Sequence, residues 1–147
     1  MKALSVTEKL QQKDVKPTAN RILVYETMAK LGCPLSISDI EDNLLSIDKS
    51  SIFRVITLFV QHDVVHAIED GSGSLKYEIC HEDLLHALGG HVHFYCEKCH
   101  HTFCLEGVDI PLVQIPEGFE SKSVNYMIKG ICPSCKKHDL SSIKSIA

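Results

Sequence analysis

The chain has no tryptophan, aromatic residues make up only 6% of it, and no apolar run approaches the roughly 20 residues needed to cross a bilayer. The stretch from Met1 to Val15 mixes charged and polar side chains and holds no apolar signal-peptide core. Positive charge is not in excess either. Lys and Arg number 15 against 19 Asp and Glu, a net charge of −4, and residues 1–84 carry the whole deficit with 9 basic and 13 acidic groups. That balance excludes a nonspecific polycation, so any DNA contact must come from a local basic face working against an unfavourable field. An H-E-x-x-H helix, a nucleophile elbow and a phosphate loop are all missing, which argues against an enzyme and a small-molecule substrate.

What is present suffices for a folded protein. Hydrophobic residues make up 44% of the 147, enough to bury a core in one domain or two small ones. Seven cysteines, an odd number without an export signal, fit metal thiolates in a reducing cytoplasm better than disulfides. Two pairs dominate: Cys96-Glu97-Lys98-Cys99 and Cys132-Pro133-Ser134-Cys135. Each C-x-x-C turn aims two sulfurs at a common centre, and two such turns complete the tetrahedron of a structural zinc site. The long gap between the pairs suggests a strand-helix-strand unit folded between them, although 108–115, with Pro111 inside it, reads as either a short helix or an extended stretch.

Along the first part, residues 3–12 alternate weakly at helical spacing around Leu4 and Leu10. Thr18 can cap a helix carrying Ile22, Leu23, Tyr25, Glu26, Met28 and Ala29, which Gly32 and Pro34 stop. Ser36 or Ser38 can cap a second helix, with Ile40, Leu44 and Leu45 turned inward. Polar residues from Asp48 start a third, whose inner face is Ile52, Val55, Ile56, Phe59 and Val60 and whose outer face is Ser50, Ser51, Arg54 and Thr57. Two β-prone runs, 64–68 and 75–79, flank a glycine-rich turn and read as a hairpin. Three helices and a hairpin are the winged helix-turn-helix order. Its wing carries Lys76 but also Glu69 and Asp70, a poor phosphate clamp. The expected division is a DNA-binding domain over 1–84, a hinge over 85–90 and a dimerisation and metal-binding domain over 91–147. That second domain is an α/β unit with strands at 91–95, 102–105 and 123–128. Its apolar strand face would be better buried against a second copy, so a homodimer is expected.

A second constellation lies upstream of the first cysteine pair. Eight of nine histidines fall between His62 and His101. His91 and His93 alternate along a strand and project to the same side. With His66 on the hairpin and Cys80 just after it, they compose a regulatory metal site of imidazole and thiolate, which suits zinc. His100 and His101, adjacent in sequence, are expected to face solvent.

Several of these segments also resemble one known family. Lys16-Pro17-Thr18-Ala19-Asn20-Arg21, Ser51-Ile52-Phe53-Arg54-Val55-Ile56, Tyr77-Glu78, His91-x-His93-x-x-Cys96-x-x-Cys99 and Gly130-Ile131-Cys132-x-x-Cys135 are similar to the ferric uptake regulator family, in order, over about residues 10–136. The resemblance implies a dimeric, metal-responsive repressor that binds palindromic operator DNA. It places Ser51, Phe53 and Arg54 against the operator and Lys16 against phosphate, with Arg21 and Ser50 completing the candidate DNA-binding set. Phe53 stands where the family usually has Tyr. By the same resemblance, the zinc-uptake branch uses a hinge Cys with wing ligands, matching His66, Cys80, His91 and His93, so a zinc-responsive regulator leads. An iron-responsive reading gathers Glu78, His91, His93 and Cys104, with Cys33 where that branch commonly has His. His86, in an apparent insertion over 81–90, is a further ligand candidate. Cys33-Pro34 and Cys132-Pro133 are a weak sign of haem ligation, and so of a haem or redox sensor, while the peroxide-sensing branch, by the same resemblance, often has an oxygen donor where this chain has Val92.

Overall fold

The computed structural model of the chain describes residues 2–80, 92–105, 107–111, 113–121 and 124–137. They form two compact units, one built from residues up to 69 with 73–80, the other from 70–72 with those from 92 onward.

In the first unit each helix starts where a short side chain satisfies its orphan N–H groups. Helix α1 (Val6–Gln12) opens with a capping box: the Glu8 N–H donates to Ser5 Oγ at 3.2 Å and the Ser5 N–H to Glu8 Oε2 at 2.7 Å. Helix α2 (Ala19–Leu31) is capped by Thr18 and ends on Gly32 in the left-handed region, φ 63°. Ser36, not Ser38, caps α3 (Ile37–Asn43), in a second box with Asp39. Helix α4 (Lys49–Gln61) follows Asp48. Strands β1 (Val65–Glu69) and β2 (Leu75–Ile79) form the expected hairpin, pairing Val65 with Ile79 and Glu69 with Leu75. Leu35 bridges to Tyr77 at its edge, N–H to O at 3.0 Å and 2.8 Å in the two directions.

Leu10, Val24, Tyr25, Met28, Ile40, Ile52, Ile56 and Phe59 meet in one core with Val64 and Val65. Each large aliphatic or aromatic side chain so buried contributes about 1.5–3 kcal/mol. Four apolar residues expected on inner faces are exposed: Leu23 and Ala29 of the α2 stripe, Leu45 and Val60. Leu23 is exposed and Val24 buried, because the inner stripe of α2 runs through 24, 25 and 28. Leu45 is 96% exposed, since α3 ends at Asn43 and its period stops there. Val60 sits one residue, about 100° of helix turn, beyond Phe59 and is exposed. Asp70 and Lys76 are buried, so neither is a surface charge of the wing.

The second unit is a three-stranded sheet in the order β4-β3-β5. Strand β3 (Val92–Cys96) is central, antiparallel to β4 (Thr102–Leu105) and parallel to β5 (Tyr126–Gly130). The helix expected between the cysteine pairs is absent among the described residues, where turns and irregular chain join β4 to β5. Pro111 and Pro116 deny that connection two backbone donors. Val113 and Phe119, each 71% exposed, give it no buried face to wind around.

Candidate metal centre

Strand order brings the two cysteine pairs together. Cys96 ends β3 and Gly130 ends the neighbouring β5, in register with Cys96, so the chain enters both turns side by side. The first turn is closed by His100 N–H to Cys96 O at 2.9 Å and by Glu97 N–H to Gly130 O at 2.8 Å. His100 takes φ 62°, and its ring meets the Tyr95 hydroxyl at 2.8 Å. Both His100 and His101 are exposed, as expected, but in a turn rather than on a strand. Pro133 follows Cys132 at the start of the helical turn 133–137, where a missing N–H costs nothing.

The four sulfurs of Cys96, Cys99, Cys132 and Cys135 lie within 4.8 Å of one another, Cys99 and Cys132 at 3.9 Å. A tetrahedral zinc with bonds of about 2.3 Å separates its sulfurs by about 3.8 Å. Burial pushes the Cys96 thiol up, but N–H groups of Cys99 and Cys132, each 3.4 Å from its sulfur, outweigh it and bring it down to about 6. Cys135 goes the other way, to about 12, through its hydrogen bond with Cys132, burial and the sulfurs of Cys96 and Cys99. Four thiolates this close repel unless a cation sits among them. The donor set fits a structural zinc ion.

The second constellation is present in parts, one in each unit. Register places His66 directly opposite Glu78 on the hairpin, with Cys80 two residues beyond. The imidazole spans both: Nε2 lies 3.1 Å from Glu78 Oε2 and Nδ1 3.4 Å from Cys80 Sγ. Burial pushes the Cys80 thiol up to about 11, with Lys13 opposing and Asp63 and Glu78 reinforcing. In the second unit His93 pairs with Cys104 across β3 and β4, so both side chains leave the same face of that sheet. His91 and His86 lie outside the described residues. Cys33, half-buried among core residues, has its thiol pushed up by burial and by Asp39.

On α4 Ser50, Phe53, Arg54 and Thr57 are exposed, and Phe53 shows 56% of its surface. Two candidate DNA contacts are already engaged locally. The Ser51 hydroxyl donates to Asp48 Oδ1 at 2.5 Å, and the Arg21 guanidinium donates to Lys16 O at 2.9 Å, fixing the loop before α2. Sequence reasoning missed Lys9 and Lys13, which line a cavity with Cys80, because the helical period of residues 3–12 is too weak to orient α1.

A sequence model of the ferric uptake regulator family matches residues 12–126. No curated protein matches the chain. Solved structures do. The Vibrio cholerae ferric uptake regulator, 14% identical, aligns over 87% of this chain and 100% of its own with TM-score 0.65. The Helicobacter pylori ferric uptake regulator, whose structure is described as having three functional metal-binding sites, is 17% identical over 92% and 97%, TM-score 0.60. A zinc uptake regulator complexed with zinc and DNA is 18% identical over 93% and 99%, TM-score 0.56. At these identities the likeness is one of fold.

Proposed function

This chain belongs to the ferric uptake regulator family, a family of metal-responsive transcription regulators, and on that premise we propose that the metal it senses is zinc. The observation that carries the reading is the imidazole–thiol pair of His66 and Cys80 at 3.4 Å. A nitrogen and a sulfur donor at that spacing suit a soft tetrahedral cation, whereas iron would favour carboxylate. His93 and His91 supply the remaining nitrogens in this reading, with Glu78 and Cys104 as alternates. When bound, zinc supplies a charge centre that holds these side chains in one arrangement. Cys80 must give up its proton to join it, so metal binding at this site releases a proton and depends on pH.

The output is repression. A homodimer joined through the second domain presents two copies of α4 to a palindromic operator, with Ser50, Ser51, Phe53 and Arg54 toward base edges and Lys16 and Arg21 toward phosphate. The domain limits are 1–84 and 91–147 with a hinge over 85–90, and the setting is the cytoplasm. Among the described residues no helix is long and apolar enough to cross a membrane. Phe53 offers apolar contact to a thymine methyl group without a hydroxyl to donate.

Two measurements test this. Operator affinity titrated against buffered free zinc and ferrous iron should respond to zinc, and a response to iron alone would favour the Glu78-centred alternative. Metal analysis should find about two zinc ions per chain, falling to about one in Cys80→Ser. An unchanged count removes Cys80 from the site.

A further inference from the structure

A cavity of about 230 Å³ opens within the first unit. Tyr25 and Val64, both core residues, give it apolar walls, and Leu4, just ahead of α1, adds another although 42% of its surface is exposed. The polar side comes from Lys9 and Gln12 of α1 and from Lys13 at its end. Lys9 and Lys13 stand four residues apart, so their charges occupy neighbouring positions of one helix face and repel. The Lys9 ammonium lies 6.0 Å from the centre of the Tyr25 ring, which keeps that charge beside the aromatic wall. Among the described residues, no carboxylate lines the space. Asp63 and Glu78 are near enough for their charge to reach Cys80, but neither is part of the lining, and Glu78 already faces His66.

We propose that this cavity is a binding site for a small monocarboxylate with an apolar tail. The carboxylate lies between Lys9 and Lys13, where one anion relieves the repulsion of two cations, and the Gln12 amide offers a further donor beside them. Lysine suits that role as a point charge on a flexible stem, which needs no fixed fork geometry. The tail lies against Tyr25, Val64 and Leu4 and covers apolar surface of Leu4 that water otherwise meets. A volume below the roughly 300 Å³ at which drug-sized pockets begin limits that tail to a short chain or a single ring. Neither half of such a ligand suffices alone. An inorganic anion leaves the apolar walls uncovered, and an alcohol leaves the two cations uncompensated. Cys80 serves here as wall and not as a donor, so this site goes beyond the zinc reading and does not rest on it.

The test uses the full-length protein with its four-thiolate centre loaded and no further metal added. Octanoate, octylamine and acetate are titrated separately by calorimetry, and octanoate also by amide NMR. Octanoate should bind one to one with a Kd of about 1 mM or tighter, and octylamine and acetate at least tenfold more weakly. The shift changes should centre on α1, Tyr25 and Val64. Lys9→Gln with Lys13→Gln should weaken octanoate at least tenfold, with the melting temperature checked alongside. Octylamine binding as tightly as octanoate would remove the cations from the site, and acetate doing so would remove the walls. Shifts centred on the second unit would place the tail on apolar residues exposed there. Each of these overturns the proposal, as does the lack of saturable octanoate binding or a folded double variant that binds octanoate normally. If the double variant fails to fold, the selectivity and shift map of the native protein decide. Zinc count and operator affinity are separate readouts, so this proposal and the metal reading fail independently.

Discussion

At Asp48 the carboxylate accepts the Ser51 hydroxyl, and this bond, ahead of local backbone N–H groups, holds its carboxyl below the ordinary value of 3.8. A depressed carboxyl contributes stability that is present above the unfolded value and is lost as pH falls through the native midpoint. Ser51→Ala should therefore raise the Asp48 midpoint toward 3.8 in an NMR titration. A midpoint that does not move would assign the shift elsewhere. In the proposed operator contact, the Ser51 hydroxyl would leave Asp48 or bring it along. Neighbouring residues on α4 differ sharply in what they hold up. Phe59→Ala should cost about 3–5 kcal/mol in denaturant unfolding, while Val60→Ala should stay within about 0.5 kcal/mol. The hydrophobic period alone puts both on one face, and only their packing separates them.

Among the elements, α3 tests how far local chemistry reaches. Two serines two residues apart could each have capped it, and the structure gives the role to Ser36, whose Oγ accepts from the Asp39 N–H at 3.1 Å. Ser38 instead accepts from Lys49 Nζ at 3.1 Å, tying α3 to α4. Ser36→Ala should destabilise the first unit by about 1 kcal/mol and Ser38→Ala by well under that, read from denaturation midpoints. Equal losses would mean that the box contributes nothing beyond the helix it starts. Most elements were legible because their signals are local: Thr18 before α2, Gly32 after it, and the glycine-rich turn between β1 and β2. The crossover from β4 to β5 was legible only in part, since 108–115 read as either a short helix or an extended stretch. Its length suggested a helix, but its prolines and exposed apolar residues leave nothing for a helix to pack against.

At the scale of the whole molecule the two units draw stability from different sources. The first has a continuous core running from Leu10 to Tyr77. In the second, the buried apolar residues among those described are Val92, Tyr95, Cys96 and Cys132, a core too small to stand without its metal. Chelation at neutral pH, or Cys132→Ser, should therefore speed hydrogen exchange in β3 and β5 while α4 stays protected. Uniform protection after zinc loss would show that the sheet carries itself. The sequence by itself determined the cysteine quartet, the helix starts and the hairpin, since each depends on residue type at short spacing. What tertiary structure decided was which distant groups meet. Parallel pairing of β3 with β5 brings Cys96 to Cys132, hairpin register sets His66 against Glu78 and beside Cys80, and the seating of α1 adds Lys9 and Lys13 to the same cavity. No local rule specifies those meetings, because each is fixed by the packing of segments far apart in the chain.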